Sequence, residues 1–314
     1  MNFQLKFPIQ KSSFQIEYGH KITLIGSCFS DSVSTHFSRS GFEVLSNPFG
    51  TIFHPNVIAR VLEDSLNGSE TVDILQRDDR YFSWDAASKL VGISEIDLKD
   101  KFIESRNAFR SFLESSTLFV ITFGTAWGYE LKSSGKTVAN CHKKSSELFE
   151  KKLMNVESEL VSWQRLIEKL YAVNPELKIV FTVSPVRHKK DGLIENNRSK
   201  SRLIELVLRL NETTSTTYFP SYEIIIDELR DYRFFKEDRV HPTDEAVNYV
   251  WERFEEVYFS EVSRDLAQKV RQLHAAFAHR SLHPGSTEAT RHEDDVNDKF
   301  AAMKRAFPAI FWRK

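Results

Sequence analysis

Two cysteines in 314 residues, Cys28 and Cys141, are too few for a disulfide framework, and a reducing compartment would keep both as thiols. No stretch approaches the roughly 20 apolar residues that a membrane helix needs. The opening segment, MNFQLKFPIQKSSFQIEYGHK, has neither an apolar core nor a small-residue cleavage site, so a cytoplasmic protein without a membrane span is expected. Neither sign of charge dominates: 43 basic residues face 44 acidic ones, for a net charge of -1. Both signs are spread along the chain, which leaves no electrostatic footprint for nucleic acid or an anionic membrane. No internal repeat is visible and no close ligand pair of the zinc-finger kind occurs, so no metal or other cofactor is expected.

What is present is enough apolar matter for a sizeable core, 41% of the residues. Short apolar runs alternate with amphipathic stretches, the pattern of a parallel sheet with crossover helices. Residues 21–25 form the first run and stop at Gly26; Phe29, Val33 and Phe37 then recur at i, i+4 and i+8 and predict a helix. Further strands are expected at 42–45, 118–123, 177–183 and 222–226. Helices are expected through Val156, Leu160, Trp163, Ile167 and Leu170, ending before Asn174-Pro175, and over 203–210. Thr243 is placed to cap a last helix, with Asp244 and Glu245 in its first turn, whose pattern continues to about His279. Residues 281–299 are polar and read as a mobile linker before a short apolar end at 300–312. The expected division is a catalytic domain over 1–262 and a C-terminal helical extension, linker and tail over 263–314.

In an open α/β sheet, groups at the carboxyl ends of the strands converge on one crevice. At the first such end stand Gly26, Ser27 and Cys28, two nucleophiles at a helix start whose amides and dipole favour negative charge. The plainer alternative is that Ser27 caps the helix and Cys28 is a small buried hydrophobe. In Asp238-Arg239-Val240-His241-Pro242 an Asp three residues before a His can orient the imidazole toward a nucleophile. A surface or capping histidine is the alternative there. Arg187 and His188 follow the fourth strand, where Arg187 could grip a carboxylate or phosphate or merely pin its loop. Cys28, Cys141, His142 and His188 could alternatively assemble a metal site, since thiolates and imidazoles suit zinc.

Taken together, LIGSCFSDSV, LSNPFGTIFHP, SWD, ITFGTAWGYE, VANCHK, TVSPVRH and YFPSYEIIIDELRDYRFFKEDRVHP resemble the GSCFA family over roughly residues 20–260. That family looks like a branch of the SGNH or GDSL hydrolases. The resemblance implies a flavodoxin-like three-layer αβα sandwich with a mainly parallel sheet. It implies Asp238 as orienting acid, His241 as general base and Gly50 as an oxyanion-hole glycine. The sequence departs from the parent pattern in two places. Cys28 stands where the serine nucleophile is usual, and Ser27 could serve only if the turn is shifted; Cys28 is favoured. Ala126, in Gly124-Thr125-Ala126-Trp127, stands where an oxyanion-hole asparagine is expected. Asn140, after a hairpin near Ser133 to Gly135, is the candidate replacement, an ordinary turn asparagine being the alternative. Trp127, His142, Arg187 and His188 complete the candidate substrate-binding set.

The expected activity is hydrolysis of an ester, on a small molecule, glycan or lipid, through a covalent acyl-enzyme. Acyl transfer to a sugar or lipid acceptor, and a catalytically silent module that binds a glycan or other ligand, are the alternatives.

Overall fold

The computed structural model describes residues 5–278 and 286–312. In chain order its elements are β1 (Lys21–Gly26), α1 (Cys28–Arg39), β2 (Glu43–Ser46), α2 (Pro55–Leu66), β3 (Ile74–Arg77), β4 (Arg80–Ser83), α3 (Glu95–Glu114) and β5 (Leu118–Phe123). There follow β6 (Trp127–Leu131), β7 (Thr137–Val138), β8 (Phe149–Leu153), α4 (Val156–Val173), β9 (Lys178–Val183), α5 (Leu193–Thr213) and β10 (Thr217–Phe219). The short α6 (Ser221–Glu223), α7 (Asp244–Tyr258), α8 (Glu261–Ala278) and α9 (Thr287–Ala306) complete the described chain.

The central sheet has the order β10-β9-β5-β1-β2, and every neighbouring pair is parallel. Read from the β2 edge this is the 2-1-3-4-5 order of a flavodoxin-like fold. Alternation along the strands separates two faces. Ile25, Phe119, Ile121, Phe123, Ile179 and Phe181 pack under α2, α3, α4 and α5. Ile22, Leu24, Leu118, Val120 and Val180 pack under α1 and α7. The result is the three-layer αβα arrangement. Trp163 is fully buried between Phe123 and Phe181, with ring centroids 5.0 and 5.4 Å away. Burying large apolar side chains of this kind contributes roughly 1.5–3 kcal/mol each.

Three expectations need correction. The expected strand at 222–226 is instead a helical turn: α6 runs into π-type turns over Ile224–Glu228, and the last sheet strand lies earlier, at Thr217–Phe219. A short apolar run such as Ile224-Ile225-Ile226 fits either period, and the β-branched and aromatic residues just before it form the strand. The single long helix after Thr243 is broken, because Phe259 turns to extended backbone (φ -93, ψ 142) between α7 and α8. There the edge of the chain is tied by Ile16, whose amide donates to the Tyr258 carbonyl and which bridges to Phe259. The polar stretch from 287 onward is α9, capped by the Ser286 hydroxyl, with Ala289 and Val296 buried and Phe300 packed edge-on against Phe277 of α8. Its Glu, Ala, Arg and Lys content favours helix, and one narrow apolar stripe suffices to dock it. Residues 281–285 of the expected linker, and His279, lie outside the described residues. The apolar end docks: Ile310 is buried, the Phe311 amide donates to Gly41, and Trp312 packs edge-on against Phe300.

Candidate active site

Two helices on the same face start at the carboxyl edge of the sheet. Helix α1 leaves the end of β1 directly. Helix α7 meets β10 with Phe254 against Phe219, the last strand residue, and with the Tyr258 hydroxyl 3.3 Å from Thr217, the first. It therefore runs back down the sheet, and its own start lies at the carboxyl edge. The two helices touch at Phe37 and Trp251, with centroids 4.7 Å apart. At 1.5 Å per residue, Cys28 stands about 14 Å before that contact along α1 and Asp244 about 10 Å before it along α7. The first turn after β1 and the loop bearing His241 thus share one edge and one layer.

The β1–α1 turn is built around Gly26. Its φ of +135° is open only to glycine, and a Cβ there would collide with the Thr122 carbonyl. Its amide donates to Asn47 Oδ1 at 2.8 Å, and Asn47 Nδ2 donates to Asp31 at 2.7 Å, so the β2 loop is tied to the first turn of α1. Ser27 is 1% exposed and caps α1, its Oγ accepting from the Phe29 amide at 3.2 Å. Cys28 begins the helix and is half-buried. Burial pushes its thiol pKa up, and the Asp31 carboxylate adds to this. The amides of Cys28 and Phe29 and the Lys200 ammonium pull the other way without overcoming it. The resting thiol is protonated at neutral pH.

Asp238 and His241 form a tight local pair. Asp238 Oδ1 accepts from the amides of Val240 and His241 at 3.0 Å each, and Oδ2 meets His241 Nδ1 at 2.5 Å. These bonds, the His241 amide first, hold the Asp238 carboxyl far below the ordinary carboxylate range. With Nδ1 engaged, Nε2 is the ring atom left to exchange a proton. The loop is fixed by the Lys236 amide donating to the His241 carbonyl at 2.8 Å and by the Thr243 hydroxyl, which caps α7 through Ala246 at 3.2 Å.

At the same carboxyl edge, where β5 and β9 end, stands a group that residue type alone did not reveal. Lys200 is fully buried, and its Nζ donates to the carbonyl oxygens of Gly124 at 2.6 Å and Ser184 at 2.7 Å, joining the ends of β5 and β9. Burial pulls its pKa from 10.5 down to about 7, opposed by Cys28. His188 is held neutral, its pKa down to about 4, by burial first and then by Lys200, with His241 and Lys151 adding to the effect against Asp191. The charge of Lys200 thus bears on the ionisation of both Cys28 and His188. Asn196 and Ser199 lie on the same face of α5: the Asn196 Oδ1 accepts from the His188 amide at 3.0 Å, and Ser199 Oγ accepts from the Ala126 amide at 2.7 Å. A signal was available, since Asn196, Ser199, Lys200, Leu203, Leu206, Val207 and Leu210 form one helical stripe.

The other candidates are placed as follows. The Gly50 amide donates to the Asn47 carbonyl at 2.8 Å, closing a turn (φ +74°), so this donor is already engaged where the resemblance assigns it to an oxyanion. Asn140 Oδ1 accepts from the His142 amide at 2.7 Å, the turn role held as its alternative. His142 is buried, with Nε2 2.8 Å from the Ser83 carbonyl and its ring beside Phe82 and Trp84, so it stitches its loop to β4 instead of facing the crevice. Trp127 donates from Nε1 to the Glu195 carbonyl at 3.2 Å and carries Lys151 and Arg198 over its ring, which pins β6 to α5. Arg187 lies over the Phe235 ring at 5.0 Å and lines a cleft with Arg239 and Val240. Cys28, Cys141, His142 and His188 do not assemble: among the described residues no three His, Cys, Asp or Glu side chains stand close enough to hold a metal ion. No helix among them is long and apolar enough to cross a membrane.

The family model described as GSCFA matches residues 21–254, which takes in β1 through most of α7 and every candidate site residue named above. The chain belongs to the GSCFA family. The sequence matches no curated protein. Among solved structures, this GSCFA-family chain is similar to a family 3 carbohydrate esterase from Clostridium thermocellum, at 10% identity, covering 79% of this chain and 98% of that one, TM-score 0.37. It is also similar to the acetyl xylan esterase Est2A from Butyrivibrio proteoclasticus, at 10% identity over 81% and 65% of the two chains, TM-score 0.38. The periplasmic domain of a lipopolysaccharide acetyltransferase from Salmonella ser. Paratyphi A is similar at 10% identity, 75% and 82% coverage and TM-score 0.34. Likeness this distant carries no activity from those proteins to this one.

Proposed function

We propose that this GSCFA-family chain cleaves or transfers an ester-linked acyl group through Cys28, with His241 as general base and Asp238 as the group that orients it. The observation that carries the reading is the shared start of α1 and α7 at one sheet edge, with Cys28 heading the first helix and the Asp238–His241 pair just before the second. His241 Nε2 takes the Cys28 proton, and the thiolate attacks the ester carbonyl carbon. The tetrahedral oxyanion is held by the Cys28 amide at the start of α1, because the Gly50 amide is engaged in its turn and those of Phe29 and Ser30 in the Ser27 cap. Collapse breaks the ester bond, and His241 returns the proton to the leaving alcohol oxygen. Water, or an acceptor hydroxyl, then attacks the thioester with His241 again as base and frees Cys28.

Ser27 is the weaker nucleophile candidate because its oxygen is buried in the helix cap. The test is turnover of short acyl esters by wild type, Ser27→Ala, Cys28→Ala and His241→Ala. Cys28→Ala and His241→Ala are expected to lose about 10²–10⁴-fold in rate. Unchanged turnover in His241→Ala would end this mechanism.

A non-catalytic binding module is the second reading, supported by the raised thiol pKa and the engaged Gly50 amide. It expects no turnover by wild type with any ester, and equal, slow alkylation of Cys28 and Cys141.

A further inference from the structure

Beside the Asp238–His241 pair lies an open cleft of about 580 Å³, lined by Arg187, Lys189, Leu193, Tyr232, Arg233, Arg239 and Val240. Four of these seven carry positive charge and none carries negative charge. Arg233 is shared with Asp231 at 2.9 Å, whereas Arg187, Lys189 and Arg239 make no ion pair among the described residues. The acid of the neighbouring loop, Asp191, is taken by Lys151. Cations around a concavity that outnumber their ion-pair partners attract an anion, and guanidinium groups match the two-pronged geometry of carboxylate and phosphate. Arg187 is held for that task by stacking on Phe235. Arg239 is held by its backbone, at φ +63° in the turn whose amides bind Asp238. The same cleft offers apolar surface, since Leu193 and Tyr232 are more than half exposed. The cleft thus sets three cations without ion pairs among the described residues beside apolar surface, next to the loop that carries His241.

We propose that this cleft binds the non-reacting part of the substrate, and that this part carries an oxyanion, carboxylate or phosphate, joined to an apolar portion. The inference rests on the ester-acting reading for its placement beside the reacting bond, but the cleft's preference for anions can be measured without turnover. An anion seated between Arg187 and Arg239 lies against the loop that carries His241, since Arg239 and Val240 both line the cleft.

The experiment has a binding arm and a turnover arm. Binding of hexyl phosphate, hexanoate and the neutral hexyl glucoside to the full chain is followed by NMR titration at low and at 0.5 M salt. Turnover compares p-nitrophenyl butyrate with its carboxylated analogue, mono-p-nitrophenyl glutarate. The expected result is binding of at least one anionic amphiphile, weakened by salt, with about tenfold less affinity for hexyl glucoside. A kcat/KM ratio favouring the glutarate ester by about tenfold is expected alongside. In Arg187→Ala and in Arg239→Gly, a change that suits the left-handed φ, the preference is expected to fall toward one. The relative strength of hexyl phosphate and hexanoate identifies which oxyanion the cleft takes. Anion binding without any ester turnover would keep the cleft assignment and remove the ester reading. Ester turnover with no preference, and equal binding of hexyl glucoside, would overturn the cleft assignment and leave the ester reading standing.

Discussion

Lys200 donates its Nζ to the carbonyl oxygen of Gly124 at 2.6 Å, so an ammonium group is sealed between the ends of two central strands. Its pKa is brought down to about 7 by burial, while an unfolded chain keeps the ordinary value of 10.5. Between about pH 7 and 10.5 the unfolded state therefore binds more protons than the folded one, and this group's contribution to stability rises with pH. Below about pH 7 both states are protonated and the cost of the buried charge is felt in full. Urea unfolding of wild type and Lys200→Met at pH 7, 8 and 9 checks this: the stability difference, wild type minus variant, is expected to increase with pH. A flat difference would show that Lys200 keeps its proton throughout.

Asp31 sits in the first turn of α1, tied to Asn47, and its charge opposes ionisation of Cys28. Asp31→Asn is expected to lower the thiol pKa and to speed alkylation of Cys28 at pH 8 by about threefold or more, since one pKa unit is tenfold in thiolate. The measurement is iodoacetamide labelling in a Cys141→Ala background. Slower labelling in the variant would mean that the helix-start amides depend on Asp31 for their alignment.

Gly26→Ala is expected to destabilise the fold by about 3 kcal/mol or more, because the new Cβ meets the Thr122 carbonyl and a positive φ at once. Thermal unfolding reads this directly. Thr243→Ala, which removes only the α7 cap, is expected to cost about 1 kcal/mol and so provides a mild comparison on the His241 side.

Much of this architecture is written in periodicity. The sheet and α1 follow from Lys21 to Phe37, and α4 from Val156 to Leu170, because buried strands and single-faced helices leave strong patterns. The triple isoleucine at 224–226 misled because burial, not alternation, governs it. Helix α9 was hidden by its polar composition, since a few apolar residues, Ala289, Val296, Phe300 and Met303, suffice to dock it. In the candidate site, Cys28 and the Asp238–His241 pair were legible because helix start and loop spacing are local features. Lys200 was not, for its role depends on two carbonyls 76 and 16 residues away in sequence. The engagement of the Gly50 amide and the stitching by His142 are likewise long-range or turn-level bonds that residue type alone does not reveal.

The Cys28 sulfur is the atom expected to take the acyl group. Intact-protein mass spectrometry, after rapid acid quench of the chain mixed with an activated acetyl or butyryl ester, reads this directly. The expected result is a single added acyl group mapping to Cys28, absent in Cys28→Ala and formed far more slowly in His241→Ala. An adduct on Ser27 or elsewhere, or one formed equally fast without His241, would contradict it.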